Sequence, residues 1–382
     1  MKSIINDLNT NPIFKMSLGS KELFHSNFLE YLWDLDRNAF ISMINSFLPA
    51  NKLNPTVEYI LGREKENFDL CIYQLINNKC VYDLVIENKV KSIPYKEQLL
   101  DYKKKANNNR CRYILLTLSE DFPDKGDPSI DNWIIIGYDK LKRGIEKYYH
   151  ISGHHSFYIK DYCAFIENLV DLKDVILPKN DLCQQILFNE NDIKELETIR
   201  LHDLYIKLRC SWFVLELKRR LQVIKPIIVH KFPDRKTNAV NLNVDINQGN
   251  GQIAAWICDN KGNVFEIVIQ GNQYRHGINQ IGIGTKAKDR YYRLNELYSR
   301  LLDLPDKNAY SFLNFYGSND VEPKTNKLFQ KTKISKQGPF NCYDESYLYR
   351  YIKVENKSIG DLLNYMINDI KNIYNNIPNL YK

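Results

Sequence analysis

Two β-prone runs, residues 68–76 (FDLCIYQLI) and 81–90 (VYDLVIENKV), stand on either side of Asn77-Asn78-Lys79. The runs are apolar and rich in β-formers, and the Asn-Asn-Lys between them is a turn signal, so the pair predicts a β-hairpin. This constrains the chain tightly, because the period of two in a strand decides which side chains share a face. With the turn centred near Asn78, Asp69 and Glu87 are equally far from it and oppose each other across the ladder. Glu87 and Lys89 then lie on one face. The hairpin gathers two carboxylates and an ammonium at its open end. Close carboxylates repel unless a cation bridges them. Mg²⁺ (or Mn²⁺) suits such a place, since it takes oxygen ligands and is held by one or two carboxylates together with water and substrate phosphate.

A helix is expected at 95–107, and it puts Gln98 and Tyr102 at i and i+4 on one face. With these residues in place the chain resembles the PD-(D/E)XK nuclease superfamily. Asp69 matches the first acid and Glu87-Asn88-Lys89 the (D/E)XK tripeptide. Gln98-x-x-x-Tyr102 matches the extra motif of the RecB-like branch. Phe68 stands where the family has proline. The resemblance covers roughly residues 15–120. It implies an α/β fold with a restriction-endonuclease-like core, a central mixed sheet flanked by helices. It also implies hydrolysis of phosphodiester bonds, in DNA rather than RNA, and a role in restriction or anti-phage defence. Asp69, Glu87 and the Asn88 backbone carbonyl would hold the metal, and Lys89 would position or activate its water. Gln98 and Tyr102 would support the site or the DNA backbone. The helix preceding the hairpin often lends such a site an acid, which makes Glu22 the candidate, with His25 beside it and Glu66 as an outer support. Two other readings stay open: a catalytically silent nucleic-acid-binding module, and an RNA-cleaving, toxin-like enzyme.

The rest of the chain frames this stretch. Ser20 is a candidate N-cap for a helix at 21–35, whose Phe24, Phe28, Tyr31, Leu32 and Leu35 recur at helical spacing. A second helix is expected at 38–50 and a first strand at 57–63. Strands at 113–118 and 133–136 and helices at 139–149 and 157–172 complete an N-terminal domain, 1–178. Lys103, Lys104, Lys105, Arg110 and Arg112 form a basic cluster that flanks the proposed site and either tracks a phosphate backbone or is a solvated helix end, where cations suit the C-terminus. The net charge of +7 agrees with a nucleic-acid partner without demanding one.

Leu177-Pro178-Lys179-Asn180 marks the expected boundary to a C-terminal α+β domain, 179–382. One or two helices at 190–222, strands at 239–246, 252–258 and 263–270, a helix at 287–302, strands near 310–316 and 346–354 and a helix at 358–376 are expected there. The stretch 270–277 (QGNQYRHG) reads as a loop in which Tyr274 and Arg275 would contact a nucleic acid by stacking and hydrogen bonding. Substrate recognition, sensing and assembly into a homodimer all remain open for this half. The eight cysteines form no C-x-x-C pair and the seven histidines no ligand spacing, so neither zinc nor a disulfide framework is expected. No apolar run reaches transmembrane length and the first residues lack a signal-peptide core, which makes a cytoplasmic protein without a membrane partner the expectation.

Overall fold

The computed structural model describes residues 1–19, 22–50, 52–178, 181–224, 229–231, 239–247, 249–258, 263–280, 341–343, 347–354 and 357–376. Ser20, the helix expected at 287–302 and the strand expected near 310–316 lie outside them. The chain forms two compact units, one of Met1–Leu177 with Glu190–Leu208, the other of Pro178–Asn189 with Arg209–Lys382. The single cut expected after residue 178 is therefore replaced by repeated crossing: residues 190–208 return to the first unit. Hydrophobic spacing does not reveal which of two cores a helix will join.

The first unit opens with helices α1 (Lys2–Thr10), α2 (Pro12–Met16), α3 (Glu22–Leu35) and α4 (Arg37–Phe47). Strands β1 (Ile60–Lys65), β2 (Phe68–Ile76) and β3 (Lys79–Lys89) follow, then helix α5 (Lys96–Ala106) and strands β4 (Arg112–Thr117) and β5 (Trp133–Gly137). Helices α6 (Tyr138–Tyr148), α7 (His154–Ile176) and α8 (Glu190–Glu197) come next, and α9 (His202–Gln222) after them. His154 and His155 start α7 and are not in a loop. The five strands form one sheet in sequence order. β1, β2 and β3 run antiparallel, while β3, β4 and β5 run parallel. The connection through α5 supplies the crossover that a parallel pair requires.

Alternate residues of β3 serve opposite faces of this sheet. Val85 joins Leu99 and Tyr102 of α5, Leu115 of β4 and Trp133 of β5 in one core cluster. Asn88 points the other way and bonds α3. On that side Phe28 of α3 stacks on Tyr162 of α7, with ring centroids 3.7 Å apart. Phe165, Leu169 and Leu172 of α7 are fully buried. Each such side chain contributes about 1.5–3 kcal/mol through burial.

In the second unit the described strands are β6 (Val229–Lys231), β7 (Val240–Asn247), β8 (Asn250–Cys258), β9 (Asn263–Gln270), β10 (Gln273–Gln280), β11 (Asn341–Tyr343) and β12 (Tyr347–Lys353). They form a sheet in the order β11-β12-β10-β9-β8-β7-β6, antiparallel except for the β6–β7 pair. The last described helix, Ile359–Asn376, packs on β8 and β9. The expected loop at 270–277 is a strand. Gln270 pairs with Gln273 across a two-residue turn in which Gly271 takes a positive φ of 54°. No helix among the described residues is long and apolar enough to cross a membrane.

Helix α6 crosses α4 at Gly144. A Cβ there would lie 2.8 Å from the Phe47 ring and 2.9 Å from the Met43 Cγ. Gly144→Ala is therefore expected to lower stability by about 1–3 kcal/mol through overpacking, measured by urea denaturation.

Candidate active site

The β2–β3 register brings the acids together by a route the sequence does not announce. Ile76 pairs with Lys79, so the turn has two residues, Asn77 and Asn78, both at positive φ (50° and 59°). Asparagine tolerates that conformation, and two such residues suit a tight hairpin turn. Tyr73 then pairs with Tyr82, but Ile72 pairs with Leu84, which leaves Asp83 as an extra residue in β3. This β-bulge is held by Gln74, whose amide donates to Asp83 Oδ2 at 2.7 Å, and by Arg112, which donates to the Asp83 carbonyl at 3.1 Å. Beyond it Leu70 pairs with Ile86, so the next step of the ladder sets Asp69 beside Glu87. The opposition expected from a turn centred on Asn78 is thus reached by a shorter turn plus a bulge.

Glu87 is fully buried. Its Oε1 accepts from Lys89 Nζ at 2.7 Å and from Gln98 Nε2 at 2.8 Å. Its Oε2 is buried with no hydrogen-bond partner. Burial pushes the Glu87 carboxyl up to about 8, with Lys89 opposing and Asp69 adding to the rise. Asp69 is half-buried and accepts the Asn88 N–H at Oδ2, 2.7 Å away. Burial raises its pKa against the pull of that N–H and of Lys89. Burial works against the Lys89 ammonium, but Glu87 and Glu22 outweigh it and hold its pKa above the ordinary lysine value. Gln98 also donates to the Tyr102 hydroxyl at 2.8 Å, and that hydroxyl donates to the Asn67 carbonyl at 2.7 Å. Residues one helical turn apart on α5 thereby tie Glu87 to the start of β2.

Glu22 is brought close but differently engaged. Its Oε1 accepts the N–H groups of Val90, Lys91 and Ser92 at 3.1, 3.2 and 2.8 Å, and its Oε2 accepts the Ser92 hydroxyl at 3.0 Å. The Asn88 side chain, fully buried, donates to the Glu22 carbonyl at 3.0 Å and to Ser26 Oγ at 3.4 Å, and accepts from the Tyr138 hydroxyl. His25 sits behind this layer. It is fully buried, its Nδ1 lies 3.0 Å from the Tyr162 hydroxyl, and its ring is 5.2 Å from that of Tyr138 and 5.3 Å from that of Phe165. Burial lowers its pKa to about 3, so it is neutral and supports the aromatic core instead of the acids. Ser26, Ser92, Tyr138 and the Asn88 side chain carry no short motif; only the fold brings them here.

Other candidates stand elsewhere. Glu66 occupies the β1–β2 turn at a φ of 52° and is exposed. The basic cluster is divided among several places. Asn108, in the turn after α5, donates to the Tyr82 carbonyl, five residues before Glu87 and so roughly 16 Å away along β3. Arg110, two residues on, is exposed; on α5 Lys104 is exposed, Lys103 Nζ donates to the Ser129 carbonyl and Lys105 Nζ lies 5.7 Å from the centre of the Tyr102 ring. Tyr274 is fully buried and donates to Asp369 Oδ2 at 2.5 Å, so it has no exposed ring to stack on a base. Arg275 bonds Gln273 and lies over the Tyr349 ring at 5.2 Å.

Among the described residues, no group of three or more His, Cys, Asp or Glu is placed to hold a metal ion. No protein-family model, no curated protein and no solved structure matches the chain.

The two buried titratable groups act on stability in opposite directions. Glu87 has a folded pKa above its unfolded one. The folded state therefore holds a proton the unfolded state has lost, and stability falls as pH rises toward about 8. His25 has a depressed folded pKa, so its contribution is present above its ordinary value of 6.5 and is lost as pH falls toward about 3. Urea denaturation is expected to show stability declining between pH 6.5 and 8, and Glu87→Gln is expected to flatten that decline. Between pH 6.5 and about 4.5 the two effects offset each other, and below about 4.5 the parent is expected to lose stability through His25, a loss that His25→Phe should reduce.

Proposed function

We propose that the first unit is a metal-dependent nuclease that hydrolyses phosphodiester bonds in DNA, with the family relationship implied by its Asp69, Glu87-Asn88-Lys89 and Gln98-x-x-x-Tyr102 pattern. The observation that carries this reading is the buried Glu87 carboxylate, with one oxygen unpartnered, set beside Asp69 on the neighbouring strand. A protein that only needed a stable strand end would lose this arrangement at little cost, since apolar residues of similar size do as well or better there.

The donor set fits a hard divalent cation such as Mg²⁺ or Mn²⁺, which needs few protein ligands and completes its shell with water and phosphate. Asp69, Glu87 and the Asn88 backbone carbonyl would hold it. When bound, such an ion supplies charge to the phosphate and acidifies a water molecule. Lys89, with its pKa held high, stays protonated at neutral pH. It would position or activate that water, or steady the developing phosphorane. Gln98 fixes one oxygen of Glu87, and Tyr102 anchors Gln98, so both orient the acid. The second unit, the oligomeric state and any role in defence follow from no residue of this site.

The test is cleavage of plasmid and single-stranded DNA and of RNA with Mn²⁺ and Mg²⁺, in the parent, Asp69→Asn and Glu87→Gln. The parent is expected to cut DNA. Each variant is expected to lose at least about a hundredfold in rate, the scale of several kcal/mol of lost charge stabilisation, while binding DNA about as tightly. DNA binding without cleavage in either metal would make the unit a binding module, and cleavage of RNA alone would reassign the substrate.

A further inference from the structure

Around the acids runs a closed ring of hydrogen bonds that the motif's acids and lysine do not explain. The Asn88 N–H holds Asp69, and its side-chain amide holds the first turn of α3 through the Glu22 carbonyl. Glu22 in turn reaches back with its carboxylate to three successive backbone N–H groups, those of Val90, Lys91 and Ser92. These begin at the residue directly after Lys89. Tyr138, fully buried at the start of α6, donates to the Asn88 side-chain oxygen and so fixes which way that amide faces. Every link of the ring passes through either Asn88 or Glu22.

Two geometries separate a positioning role from a metal-binding one. A carboxylate poised for a metal keeps an oxygen free for it, as Glu87 does at Oε2. Glu22 uses Oε1 for three amides and Oε2 for the Ser92 hydroxyl. Backbone amides converging on one carboxylate order a turn, because each lost N–H partner would leave a half-buried donor unsatisfied. The turn so ordered is the one that follows Lys89. Lys91, inside it, is further fastened by Asp203 at 2.8 Å and by the carbonyls of Gly19 and Arg200.

We propose that Glu22, Asn88 and Tyr138 form a polar clip that fixes the backbone on both sides of Lys89, and that Glu22 is a positioning residue and not a metal ligand. This rests on the nuclease reading for its catalytic consequence, but the clip itself is a property of the metal-free protein. It makes Asn88 the residue through which α3, α6 and the hairpin agree on one geometry for the acids and the lysine.

The experiment compares the parent with Glu22→Gln, Glu22→Ala and Tyr138→Phe by two readouts. The first is amide hydrogen exchange over residues 89–92, read by mass spectrometry without metal. The second is kcat and KM for Mn²⁺-dependent DNA cleavage. Glu22→Gln keeps an acceptor oxygen, so its exchange is expected to stay within about threefold of the parent and its kcat to fall less than about tenfold. Glu22→Ala is expected to speed exchange at Val90–Ser92 by more than about tenfold and to lower kcat by a similar factor with KM little changed. Tyr138→Phe is expected to fall between them in both. The clip is overturned if Glu22→Ala leaves the exchange at its parental rate. The positioning role is overturned if Glu22→Gln abolishes cleavage as fully as Glu87→Gln while exchange stays parental, which would make Glu22 a ligand. A parent that exchanges slowly at 90–92 but cuts no nucleic acid would sink the nuclease reading and with it the catalytic half of the proposal, leaving the clip to stand on the exchange data.

Discussion

A carboxylate withdrawn from water at the end of a central strand has to be compensated, and the polar structure of the first unit is arranged around that requirement at Glu87. The effective penalty for burying such an ion is several kcal/mol. One hydrogen bond to a charged group returns about 1.5–3 kcal/mol. Lys89 and Gln98 supply two, both to the same oxygen. Burial still outweighs them, with Asp69 adding to the rise, and the carboxyl holds its proton up to about pH 8. Each further layer serves this arrangement. Tyr102 steadies Gln98, the Asn88 N–H steadies Asp69, and α3 and α6 steady Asn88.

The second unit buries a carboxylate too, with its partners again gathered on one oxygen. Asp369, on the last described helix, takes both the Tyr274 hydroxyl at 2.5 Å and His276 Nε2 at 2.6 Å on one oxygen. Both partners come from β10, two residues apart and so on one face of the strand. Here the donors belong to one strand and fasten a helix to a sheet. At Glu87 they come from a strand and a helix; in both places the second carboxylate oxygen is buried with no hydrogen-bond partner, and what sets Glu87 apart is the second acid, Asp69, on the neighbouring strand.

What could be read in the sequence follows from how local the determining physics is. The hairpin, the Gln98/Tyr102 pair on α5 and the strands of the first sheet depend on periodicity and turn residues within a few positions, and the structure has them. Asp69 and Glu87 were placed together correctly, but by a three-residue turn that does not exist; the bulge at Asp83 depends on Gln74 and on Arg112 of another strand, which no local pattern shows. The basic residues, close in sequence, part company in the fold: Arg112 turns to Asp83 at the bulge, Lys103 to the Ser129 carbonyl and Lys105 to the Tyr102 ring. Strand β10 was hidden because its polar residues disguise a period of two: Tyr274 and His276 are inside, Arg275 between them outside. Glu22 was expected to face the acids; that its carboxylate turns to backbone amides instead depends on a loop 68–70 residues away in the chain.

The bulge also sets a rule of parity for this hairpin. Adding or removing one residue pair at its tip lengthens or shortens the ribbon and leaves Asp69 opposite Glu87. Changing either strand by a single residue turns the side chains beyond that point to the opposite face, unless a second irregularity restores the count. Asp83 is that second irregularity for a turn of two residues. Descendants of this chain can therefore vary the exposed tip, where Leu75 and Ile76 already face solvent, only in even steps, or in odd steps that erase the bulge at the same time. A hairpin that kept its two-residue turn with the bulge smoothed away would keep its strands and lose the meeting of its acids.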